Sequence, residues 1–272
     1  MSIYHSLNHF AKIAVIIWLM AIAQSVLAFY GIFSINQTAN QRVAFGLIEL
    51  ITMGLVIMNS VAILRFVNGQ ESPLARIVSQ ACLCSLILCF LGDIINRNFF
   101  QEFYQYGDIV KHSYLADSVL LFFPGYSIII TMIAFIAFKR GVTKRFIAIT
   151  ALLASVVALC TYFDMHITNT DTTLTLITMS YSILVSILAI SAIWLLKAFA
   201  WRQAPLRVWL AALGVLLAMI ADAIIGQFWI FGNQGQGYFP IVSHINWVVY
   251  VASQLLIQQL PLGLLQLKEY ET

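Results

Sequence analysis

The stretch "LRVWLAALGVLLAMIADAIIGQFWIF", residues 206–231, carries a single acid, Asp222, in a run that is almost wholly apolar once Arg207 is passed. At 1.5 Å per residue its 26 residues reach about 39 Å as a helix, more than the hydrocarbon core of a bilayer, about 30 Å thick. Such a run reads as a transmembrane helix. The rest of the chain agrees: 61% of its residues are hydrophobic and 9% charged, against roughly half and a quarter in soluble domains.

Similar runs lie near 10–34, 43–66, 75–97, 115–138, 145–163, 172–198 and 240–267, which with 206–231 makes eight. The first also has the features of a signal peptide, with Lys12, an apolar core and "SVLA" before Phe29, but apolarity continues through "FYGIF" and the run reads as a span. The expected fold is all-α: a polytopic membrane protein with one domain over 1–272, a single bundle of eight transmembrane helices. Pro124 and Pro261 fall inside spans and are expected to kink them.

Placing both termini and the even-numbered connections on one side gathers eleven Lys and Arg there, leaving Arg42, Arg97 and Lys111 opposite. Both termini are therefore expected to be cytoplasmic, in a cell membrane such as the bacterial inner membrane. The net charge of +3 belongs to this bias and gives no nucleic-acid patch. The longest connection, "RNFFQEFYQYGDIVKHSYLAD", and the turn "GNQGQG" then lie outside, the former as an interfacial or lid element.

An acid inside a membrane span costs at least a few kcal/mol and is read as functional unless shown otherwise. Asp222 shares a helical stripe with Gly214, Ala218 and Gly226, a small-residue face that packs against a neighbouring helix and turns the acid inward. Helix 3 repeats the pattern with Ser85, Cys89 and Asp93, then Asn96; helix 8 spaces Asn246, Tyr250, Gln254 and Gln258 by four. Helix 2 adds Glu49 with Thr52 and Asn59. Helix 6 adds Thr178, Ser182 and Ser186, which read as packing residues. The orientation puts Glu49, Asp93 and Asp222 in the outer half, around an inferred polar cavity. His112, His166 and His244, in loops or at helix ends, read as solvated or interfacial.

Two desolvated carboxyl groups set close together are not both ionised cheaply, so one stays protonated beside a carboxylate: a general acid next to a general base. That pair suits acid-catalysed attack of water on an acid-labile bond, and equally a proton or ion pathway. A retinal protein needs a mid-span Lys, and every Lys here is at a span end. The spans hold no His cluster for zinc, and the C-x-C at Cys82 and Cys84 has no His beside it, so no metal is expected. No G-x-S-x-G elbow occurs.

Together "FLGDII" around Asp93, "MIADAIIGQF" around Asp222 and "INWVVYVASQLLI" with Trp247, Tyr250 and Gln254 resemble the YhhN-type lysoplasmalogenases, eight-helix membrane hydrolases. "YSILVSILAISAI" in helix 6 is similar to a further pattern of that family, and the likeness spans roughly residues 85–258. Ala221 stands where the family has Ser, and helix 4 lacks its His. The resemblance implies hydrolysis of the vinyl-ether bond of a lysophospholipid, with Asp93 and Asp222 catalytic and no cofactor. Glu49, Asn96, Tyr250, Gln254 and Trp247 are the expected substrate-binding residues, with a lipid or lysolipid as the partner. The other reading is a non-catalytic lipid- or small-molecule-binding protein or transporter on the same scaffold.

Overall fold

A computed structural model describes residues 3–32, 39–100, 104–111, 115–165, 167–230, 232 and 240–271. It is 86% helical, with eight helices long and apolar enough to cross a membrane, so the protein is an all-α integral membrane bundle. In chain order these are α1 (Ile3–Phe29), α2 (Ala39–Asn68), α3 (Pro73–Asn96), α4 (Leu115–Lys139), α5 (Lys144–Met165), α6 (Thr172–Ala198), α7 (Leu206–Ile224) and α8 (Pro240–Ile257), the last continued by α9 (Gln259–Glu271). His112, His166 and most of "GNQGQG" lie outside the described residues.

Local chemistry sets several boundaries. Ser72 caps α3, its side chain accepting from the Ala75 N–H with Pro73 in the first turn, and the Asp171 carboxylate accepts from Thr173 N at 2.9 Å to open α6. Pro261 cannot donate to the Ile257 carbonyl four residues back, and the eighth span breaks at Gln258. The freed carbonyl faces the Cys82 thiol at 4.0 Å, and the Gln258 side chain accepts from Asn59 at 3.3 Å. Past α7 the chain widens into a π-helical turn over Ile225–Ile230.

Helices α1, α2, α3, α4, α6, α7 and α8 pack in sequence, α8 closing back onto α1, while α9 reaches inward to α3 and α7. The eighth span, Ile241–Gln266, is accordingly 78% buried; Lys144–Met165 is 11% buried and leans on α6 from outside. Two seams are tight. A Cβ on Gly214 would stand 2.7 Å from Leu256 Cβ and 2.9 Å from the Ser253 carbonyl, and one on Gly92 would stand 2.8 Å from the Phe122 ring. The small-residue stripe of α7 thus meets α8 at Gly214, whereas Gly226 at its other end has nothing within 4 Å of an added Cβ.

Part of the long third connection forms a hairpin, β1 (Tyr104–Tyr106) paired antiparallel with β2 (Ile109–Lys111) through Gly107 at φ +62°. Ile109 packs with Ala116 and Leu174, which seats the hairpin over the starts of α4 and α6.

Candidate functional site

Asp93 is buried in the last turn of α3, and one of its carboxylate oxygens accepts a hydrogen bond from the Tyr250 hydroxyl at 2.9 Å. Asp222, near the end of α7, is half-buried. Both carboxyl groups line one small cavity of about 40 Å³, together with Glu49, Asn96, Asn246, Trp247 and Tyr250. That volume holds about three waters. Asn96 and Asn246 each present a buried side-chain oxygen without a partner among the described residues, so the lining is rich in acceptors.

Beside it lies a larger cavity of about 290 Å³ between α4, α5, α6, α7 and the π turn. Its wall is mostly apolar, with Val119, Ala158, Met165, Val185 and Met219 among the lining residues. Asn96, Phe122, Asp222 and Ile225 belong to both linings and form the partition. The π turn brings three consecutive residues, Ile225, Gly226 and Gln227, to that wall.

The sequence-derived residues thus fall into distinct positions. Asp93, Asp222, Glu49, Asn96, Trp247 and Tyr250 come together at the small cavity; Gln254, one turn further along α8, is buried but lines neither cavity. Glu49 is not a second free acid, because its carboxylate is ion-paired with Arg97. The Arg97 guanidinium also lies over the Trp247 ring at 5.1 Å, and Trp247 Nε1 donates to Gln24 at 3.2 Å, so α1, α2, α3 and α8 are joined by one polar network. One expectation is extended and one is corrected. Thr178, Ser182 and Ser186 line the larger cavity as well as packing α6. His244 is buried against the Phe45 ring at 5.7 Å instead of being solvated.

Sequence reasoning missed Arg97 and Tyr126, and met Tyr181 only as the first residue of the helix 6 pattern. Arg97 stands four residues after Asp93, a spacing that puts both on one helical face, but a cation at a span end is also the ordinary topology signal. Tyr126 on α4 and Tyr181 on α6 stack at 6.4 Å and 22° with their hydroxyls within reach of Asp222. Nothing in their neighbours separates them from core aromatics. Among the described residues no group of three or more His, Cys, Asp or Glu side chains is placed to hold a metal ion.

A scan against protein-family models and searches of curated proteins and of solved structures found no match to this chain.

Proposed function

We propose that this protein is an integral membrane hydrolase acting on a lysophospholipid, of the lysoplasmalogenase kind that its aspartate motifs resemble. The observation that carries this reading is the placement of Asp222 in the partition between a small acceptor-lined cavity and a larger apolar one, with Asp93 across the small cavity's lining. The apolar cavity suits a single hydrocarbon chain, and the small one suits water.

In the reaction, one carboxyl group protonates the vinyl carbon of the enol ether, and water adds to the oxocarbenium ion as its proton passes to the other carboxylate. The hemiacetal then collapses to a fatty aldehyde and a glycerophospho-alcohol. Tyr250 holds Asp93 in position by its hydrogen bond. With both termini cytoplasmic, in a bacterial inner membrane, the site opens toward the outer leaflet.

The purified protein incubated with a lysoplasmalogen should release aldehyde, and Asp93→Asn or Asp222→Asn should lower kcat about 10²- to 10⁴-fold. No aldehyde from the wild type overturns the hydrolase reading; full activity in Asp222→Asn overturns the site. The broken eighth span favours a second reading, a transporter, since discontinuous helices build many transport sites. The break lies eight residues beyond Tyr250, about 12 Å along the helix axis, away from the carboxyl pair. The enzyme reading is therefore preferred.

A further inference from the structure

Six of the eleven cations on the expected cytoplasmic side belong to two connections: Lys139, Arg140, Lys144 and Arg145 from α4 to α5, and Lys197 and Arg202 from α6 to α7. No acid occurs from Lys139 to Arg145 or from Lys197 to Arg207, whereas the connection from α2 to α3 places Glu71 between Arg65 and Arg76. Topology accounts for the number of cations on a face. It does not gather them at one corner, and since Asp and Glu hardly affect it, it does not keep acids away from them.

Two contacts bring these connections together. The Arg140 guanidinium lies over the Phe199 ring at 4.2 Å, tying the end of α4 to the end of α6, and the Lys197 ammonium lies over the Phe146 ring at 4.1 Å, tying α6 to the start of α5. All six cations are exposed, and among the described residues none is ion-paired. Lys144 and Arg145 also stand in the first turn of α5, the positive end of its dipole, where an acid is the favourable neighbour and none is present. Like charges held together in this way are relieved by an anion. Arg145 heads a helical stripe with Ile149, Leu152 and Val156, all exposed, so a charged end and an apolar track share one face of α5. Phe138, under the Lys144 ammonium at 4.9 Å, and Trp201, next to Arg202, are exposed as well. Aromatic and cationic side chains side by side suit the depth where acyl chains meet head groups.

We propose that the corner formed by the ends of α4, α5 and α6 binds an anionic phospholipid, its phosphate against the cations and an acyl chain along the Arg145 stripe of α5. On the expected orientation the corner faces the cytoplasmic leaflet, whose anionic lipids make that surface negative. A zwitterionic head group brings its own cation and gains little there. The site stands apart from the carboxyl pair and is independent of the hydrolase reading.

The test is native mass spectrometry of the full chain in detergent, titrated with dioleoylphosphatidylglycerol or dioleoylphosphatidylcholine. The first phosphatidylglycerol should bind about tenfold more tightly than phosphatidylcholine, a gain in line with two cations acting on one phosphate. Lys144→Gln combined with Arg145→Gln should remove most of that preference, and Lys144→Arg should keep it. Arg65→Gln combined with Arg76→Gln takes the same charge from the same side and should leave the preference unchanged. Equal retention of the two lipids by the wild type would mean cations that serve topology alone; equal loss in the two double variants would mean a diffuse field without a site. Either overturns the proposal, as does displacement of the lipid by inorganic phosphate at equal concentration, which would mark a site for small anions. Thermal unfolding shows whether each variant has folded, and the comparison of the two lipids on the wild type needs no variant.

Discussion

Arg97 and Glu49 show how much a single partner decides. Glu49 is 2% exposed, and its compensating charge is the guanidinium one helix away, itself resting on Trp247. Removing one member of a buried pair leaves a bare charge and costs about 3–5 kcal/mol, whereas replacing both can be nearly neutral. Arg97→Met should therefore lower the unfolding midpoint markedly, and adding Glu49→Gln should recover most of the loss; thermal denaturation of the three proteins checks this. Asp93 and Asp222 were legible in the sequence because an acid in an apolar run is expensive wherever it occurs. Arg97 was not, because a cation at a span end looks the same whether it sets topology or pairs with an acid. Tyr126 and Tyr181 were hidden because a tyrosine in an apolar run reads as core until its hydroxyl is located.

At the scale of elements, glycines that admit a neighbour differ from those that merely loosen a helix. Gly214→Ala puts a methyl into Leu256 and the Ser253 carbonyl and should destabilise the bundle by about 1–3 kcal/mol. Gly54→Ala, with nothing within 4 Å of its added Cβ, should be neutral or stabilising by up to about 1 kcal/mol. Unfolding the two variants side by side separates the cases, and equal effects would mean that α7 and α8 do not meet as described. The Asp171 cap gives a pH dependence. Hydrogen bonds from the Thr173 side chain and then its backbone N–H hold the Asp171 carboxyl below the usual aspartate range. The folded helix therefore favours the carboxylate: the cap is complete above about pH 4, the ordinary aspartate value, and is lost as pH falls through the lowered one. Amide exchange over the first turn of α6 should speed up at low pH relative to mid-helix, and Asp171→Ala should remove that dependence. The span boundaries were readable from hydropathy to within a few residues at most ends. Pro261 marked a lost hydrogen bond, but the break at Gln258 and the π turn depend on which neighbours receive the freed groups, which a single run of residues does not encode.

For the molecule as a whole, composition and span length fixed the class, and the cation bias gives the expected orientation. A green fluorescent protein fused after Thr272 should fluoresce, while alkaline phosphatase fused there should stay inactive; the opposite pair of results would invert the bundle and move the carboxyl pair to the cytoplasmic half. The packing order was not legible, because eight apolar runs of similar length carry little information about their neighbours. Helix α5 is the clearest case: nothing in its sequence says that it leans chiefly on α6, yet its Ala158, Thr161, Tyr162 and Met165 form one side of the larger cavity. Natural variation can therefore reshape that side with less penalty elsewhere, since α5 adds no residue to the lining of the small cavity that holds both carboxyl groups. Ligand preference and chemical machinery are free to diverge at different speeds, and relatives that keep both aspartates should differ most along α5 in the chain they accept.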